Sequence, residues 1–231
     1  MTMTSVNDIM DNTKILQLIT ERLENVNLKN PVDNWEMNHE LIGLILELYN
    51  DDEDFVYEKL QKFSIEDILN YLQATHQYYL EKKLPEIEQS MLHIYSKYAE
   101  SHQLLSSLMV FFNDYKNQLI AHIRMEERYL FPYIRRMLLA SKTKTVCAKN
   151  LSIDPFFSIK KFIASHLPIE DELKEVSKII KQFSGVESIP LPFKIFMNQV
   201  DLFEIELRKH AIIEDHVLVP MVVELENKLK V

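Results

Sequence analysis

Along most of the chain, apolar residues recur at intervals of three and four, the period of a helix buried on one face. Residues 5–25 show the pattern first, with Ile9, Ile15, Leu16, Ile19 and Leu23 as the apolar stripe. The stretch 28–34 contains an Asn-Pro pair and reads as a turn. A second helix is expected over about 36–49, ended by Asn50-Asp51-Asp52, and a short third over about 53–63. Ser64-Ile65-Glu66-Asp67 has the form of a capping sequence, with Ser64 as the N-cap. Four long helices follow, over about 65–95, 103–139, 157–183 and 193–230. The polar segment 141–155 joins the second to the third, and 184–192, with Gly185 and two prolines, parts the third from the fourth. The pattern therefore predicts an all-α chain: an N-terminal helical extension, 1–62, and an up-down-up-down four-helix bundle, 63–231.

Composition narrows this further. Only 2 glycines occur in 231 residues, which argues against β-sandwiches, dinucleotide folds and phosphate-cradling loops. Hydrophobic residues make up 47%, enough for a sizeable core. The formal net charge of −9 disfavours nucleic acid and anionic membranes as partners. Cys147, the single cysteine, cannot form an internal disulfide or hold an iron–sulfur cluster unaided. No apolar leader or membrane-length stretch is present, so a cytoplasmic protein is expected.

The chemistry lies in the histidines. Of eight, His76, His122, His166 and His210 fall one to each long helix, at separations of 46, 44 and 44 residues. In an up-and-down bundle, nearly equal separations place all four at one level near mid-height, where bundles build metal sites. His122 and His210 are each followed by a glutamate at i+4, Glu126 and Glu214, on the same helical face. The frame repeats too: Leu119 and Leu207 precede the histidine by three, while Leu130 and Leu218 follow by eight and Pro132 and Pro220 by ten. Those leucines share the histidine's face and turn it inward.

Four imidazoles and two carboxylates form a nitrogen and oxygen donor set without sulfur, which suits iron, manganese or zinc. Two carboxylates for four histidines fit a pair of ions bridged by glutamate, with two histidines on each. Burying the carboxylates without a cation would cost several kcal/mol. His39, His93, His102 and His216 read instead as surface or hydrogen-bonded residues. Tyr78, Tyr79, Tyr129 and Tyr133 read as core, and Trp35 as packing within the extension.

Three segments carry a family resemblance: Asp67-Ile-Leu-Asn-Tyr-Leu-Gln-Ala-Thr-His76-Gln-Tyr-Tyr-Leu with Leu84-Pro85, His122-Ile-Arg-Met-Glu126-Glu-Arg-Tyr-Leu-Phe-Pro, and His210-Ala-Ile-Ile-Glu214-Asp-His-Val-Leu-Val-Pro. Over about 63–231 the chain resembles the hemerythrin-like superfamily, and most of all its branch of di-iron proteins that repair iron–sulfur clusters after nitrosative or oxidative stress. The resemblance implies two oxo-bridged, non-haem irons. His76, His122, His166 and His210 would be their terminal ligands, and Glu126 and Glu214 the bridging carboxylates. It also implies O2 or NO as small ligands and proteins with damaged clusters as partners. The chain departs from the branch at two places: residues 1–62 lack cysteine, and Tyr98 stands where many members have a histidine. Asp215, at i+5 from His210, is an alternative to Glu214, and Pro168 sets the start or a kink of the third helix close to His166. Two other functions compete: reversible O2 binding or sensing, and a metal-free helical adaptor. Whether the chain is an enzyme is left open.

Overall fold

The computed structural model describes residues 39–50, 55–98, 104–143, 158–165 and 190–229, and all regular structure among them is helical. Helix α1 is His39–Asn50, followed by a 3-10 turn, Tyr57–Lys62. Helix α2 occupies 65–98, α3 104–143, α4 Ile159–Ser165 and α5 191–229. The helix expected at 5–25, the turn at 28–34, Trp35, His102, Cys147 and most of the third long helix, including His166 and Pro168, lie outside the described residues. No described helix is long and apolar enough to cross a membrane.

Local chemistry explains where α2 begins. Ser64 accepts the Asp67 N–H at 3.0 Å on its hydroxyl, and the Asp67 side chain accepts from the Ser64 N–H in return. This capping box supplies side-chain partners to N–H groups at the helix start, where the regular carbonyl ladder is incomplete. At the start of α5, Pro192 occupies the first turn, where its missing N–H is not needed.

Each of the three long described helices, α2, α3 and α5, widens for one turn. Tyr79–Lys83 in α2, Glu126–Leu130 in α3 and Glu214–Leu218 in α5 are π-helical. A proline follows each, at 85, 132 and 220. Proline inside a helix has no N–H for the carbonyl four residues back and crowds it sterically. In all three cases that carbonyl (of Glu81, Arg128 or His216) lies within the widened turn. The residue before the proline donates five residues back instead: Leu84 to Tyr79, Phe131 to Glu126, Val219 to Glu214. The prolines thus account for the wide turns, and such turns gather at functional sites.

The second half of α2 packs on the first halves of α3 and α5, while its first half meets the turn 214–218, so α2 and α5 run antiparallel. Buried apolar residues form two clusters. One joins α1 and the 3-10 turn to Ile68–Ala74 of α2, Leu130–Ala140 of α3, Ile159 and Phe162 of α4, and Ile213–Leu225 of α5. The other holds Tyr78–Ile94, Leu105–Ile123 and Phe193–Leu207. The described part of the extension therefore shares a core with the long helices. Between the two clusters, α2, α3 and α5 each cross a polar level: His76 in α2, Glu126 in α3, His210 in α5.

Candidate metal centre

The sequence places His76 at the last α-helical turn of α2 before its wide turn. His122 and His210 occupy the corresponding positions in α3 and α5, while Glu126 and Glu214 open their π-turns. The repeated leucine frame turns these faces inward: Leu119, Leu130, Leu207 and Leu218 are all buried. His76, Glu126, His210 and Glu214 are buried with them, whereas His122 is partly exposed.

Glu126 is the centre of the arrangement. Its Oε2 lies 3.2 Å from His76 Nε2, and its Oε1 lies 2.8 Å from His122 Nε2. The two oxygens of one carboxylate thus face histidines on different helices. Two groups of donor atoms form around it, each within 4.8 Å: His76, Glu126 and His210, and His122, Glu126 and Glu214. In the first group, His76 Nε2 and His210 Nε2 are only 3.1 Å apart.

The proton inventory decides what those nitrogens offer. Thr75 donates its single hydroxyl proton to the Leu72 carbonyl at 2.7 Å. It therefore accepts from His210 Nδ1, also at 2.7 Å, and the neutral ring keeps a lone pair on Nε2. On His76 a carboxylate faces each nitrogen, Glu126 3.2 Å from Nε2 and Glu127 3.4 Å from Nδ1. With the ring proton on Nδ1, Nε2 presents a lone pair as well. A carboxylate or hydroxyl behind a ligating histidine is the arrangement that fixes its tautomer in metal sites. Two lone pairs 3.1 Å apart repel unless a cation or proton separates them. Ligands at a bond length of about 2.05 Å on one ion stand about 2.9–3.4 Å apart, so the spacing fits a shared metal.

The rings are held by packing as well. His76 stacks on Phe131, centroids 5.3 Å apart, and the edge of Tyr79 meets His210 at 5.8 Å. Burial pulls the His76 pKa down, but the Glu126 and Glu127 carboxylates outweigh it and hold it above the ordinary imidazole value. A proton on His76 is thus the metal-free way of balancing this buried charge.

His76, His122, Glu126, His210 and Glu214 come together, and His166 lies outside the described residues. Asp215 is exposed, whereas Glu214 is buried within 4.0 Å of His210. Tyr98 packs on Phe193 at 5.3 Å, 22 residues beyond His76 and about 33 Å along the helix. His93 is exposed, and His216 stacks on Tyr57. Sequence reasoning missed Glu127, Thr75 and the wide turns. The available signal for the last was a proline within an unbroken helical period, repeated at 85, 132 and 220. The buried histidine and glutamate groups can hold metal ions. Compared with known protein families, curated proteins and solved structures, the chain matches none.

Proposed function

We propose that the chain forms a hemerythrin-like four-helix bundle around a non-haem di-iron centre. In this reading it acts in the nitrosative and oxidative stress response, supporting iron–sulfur cluster repair or the handling of NO and O2. The observation that carries the reading is Glu126, whose two oxygens address His76 and His122 separately, as a carboxylate shared by two ions would. His76 and His210 would serve one ion and His122 and Glu214 the other, with His166 assigned to the second by its sequence spacing alone. Nitrogen and oxygen donors accommodate iron, manganese or zinc; the choice of iron follows from the family resemblance.

The residues around the ligands have definite tasks. Thr75 holds the Nδ1 proton of His210, and a metal at His76 Nε2 would leave that ring's proton on Nδ1, facing the Glu127 carboxylate, so that both rings present Nε2. Phe131 and Tyr79 cover the rings and keep water from that side. Two irons would supply one-electron redox chemistry and open positions for a diatomic ligand. His122 is the most exposed of the described histidines in the two groups, so a small ligand would enter from its side.

Metal analysis of the purified full-length chain is the first test. Two irons per chain with loss of both in Glu126→Gln supports the reading; a chain that binds no metal is the metal-free adaptor instead. Mixing the reduced protein with O2 and NO then separates roles. Irreversible oxidation or NO consumption favours the stress function, and reversible O2 uptake favours carriage or sensing.

A further inference from the structure

Pro220 lacks the N–H that an α-helix would give to the carbonyl of His216. The side-chain amide of Gln61 donates to that oxygen at 3.2 Å, from 155 residues away. Four residues before Gln61, the ring of Tyr57 lies flat on the His216 imidazole, with centroids 4.8 Å apart and planes 11° apart. Leu60, fully buried between them in sequence, belongs to the same apolar cluster as Val217 and Leu218. Tyr57, Leu60 and Gln61 all come from the 3-10 turn Tyr57–Lys62, and all three converge on the wide turn Glu214–Leu218. The first residue of that wide turn carries one of the buried carboxylates.

We infer that Tyr57 and Gln61 are positioning residues for Glu214: the extension braces the wide turn that aims this carboxylate into the metal centre. The role rests on the di-metal reading above. A π-turn is an uncommon backbone state, held here on one side by the Val219 N–H to the Glu214 carbonyl. Gln61 fixes the carbonyl that Pro220 leaves unserved, and Tyr57 prevents the turn from rolling outward about His216. Pro220 keeps the turn wide, but without these two contacts the turn is free to shift against the rest of the fold, which moves Glu214 off its ion. The first group of donors, His76, Glu126 and His210, contains no residue of this turn and is not braced in this way. Coupling of this kind is reciprocal, so metal at the Glu214 position also holds the extension down.

The test uses the full chain with Gln61→Met, Tyr57→Ala and, as the conservative control, Tyr57→Phe. Amide hydrogen exchange is read in the metal-free protein at 214–219 and at 191–205. Iron release to a chelator is then followed for each of the two ions. Gln61→Met and Tyr57→Ala are expected to speed exchange at 214–219 about threefold to tenfold, the scale of one hydrogen bond, without a matching change at 191–205. They should speed release of one ion by a similar factor and leave the other unchanged, while Tyr57→Phe keeps the stack and behaves as wild type. Unchanged exchange, or a rise spread over both segments, overturns the inference. So does local loosening with both ions released at the wild-type rate. A wild-type chain that takes up no iron refutes the di-metal reading itself, and with it the brace's purpose, before any variant is made.

Discussion

The hydroxyl of Thr75 holds the Nδ1 proton of His210 at 2.7 Å, because its own proton is already given to the carbonyl of Leu72. The ring is thereby set with Nε2 toward His76 and Glu126. Thr75→Val preserves shape and removes this acceptor, so it should lower metal affinity about 10–100-fold. Thr75→Ser should stay near wild type. Equilibrium titration of both variants checks this, and equal losses in the two would refute it.

A carboxylate shared between two ions behaves differently from one that serves a single ion. Glu126→Gln should abolish binding of both metals, since it sits in both donor groups. Glu214→Gln should lose only one. Asp215→Ala should keep both, because Asp215 is exposed. Metal counting on the three variants is the check; a Glu214→Gln chain with two metals beside an Asp215→Ala chain with one would reverse the assignment.

The raised His76 pKa has opposite consequences for the two forms of the protein. In the metal-free chain the folded imidazole holds its proton above the unfolded value of 6.5. Its contribution to stability is therefore complete below 6.5 and disappears as pH rises through the folded value. Metal competes with that proton, so affinity should fall as pH drops, beginning above 6.5. Thermal melts across pH 5.5–8.5 are expected to show metal-free stability declining with pH and the metal-induced gain increasing. Parallel curves for wild type and His76→Gln would refute the assignment to His76.

Far from the polar level, the Tyr133 phenol donates to the Glu226 carboxylate, joining the ends of α3 and α5. Burial, then the hydrogen bond to Glu226 and its charge, pushes the phenol well above its ordinary value. Tyr133→Phe should cost about 1.5–3 kcal/mol, the range for a hydrogen bond to a charged group. Since the folded pKa is the higher one, this contribution is complete below about pH 10 and lost above it. Denaturant melts at pH 8 and pH 11 should show the wild-type advantage shrinking at the higher pH.

Much of the site could be read from residue order. Near-equal spacing along His76, His122, His166 and His210 encodes equal height in a stack of antiparallel rods, and the structure brings together the three of these that it describes. The leucines that flank His122 and His210 encode which way they face. Spacing alone does not decide between Glu214 and Asp215, and the match of Glu214 to Glu126 favours Glu214; burial separates them. Thr75 and Glu127 were invisible for another reason. Their roles depend on which ring nitrogen they meet, which is set by contacts across helices and by side-chain rotamers. The bracing of the turn at Glu214 was hidden because Gln61 and His216 are 155 residues apart and neither is unusual for a helix surface. Helix boundaries followed their chemical signals closely where these were strong, as at Ser64, and ran on where they were weak: α3 continues to Thr143, through Ser141 and Lys142, which look like loop residues but suit an exposed final turn.

The polar level that parts the two apolar clusters has a consequence for how the molecule melts. Among the described residues, helix continuity passes through that level by way of three wide turns, and the buried apolar residues fall into one cluster on either side of it. Two half-cores joined in this way need not unfold together. A pair of metal ions gripped by ligands from α2, α3 and α5 would act as a bolt through the joint, making one melting unit out of two. Loss of metal would then appear in calorimetry as a split transition as well as a lower temperature, and a cell deprived of the metal would hold a chain with one half folded and the other exposed to proteases.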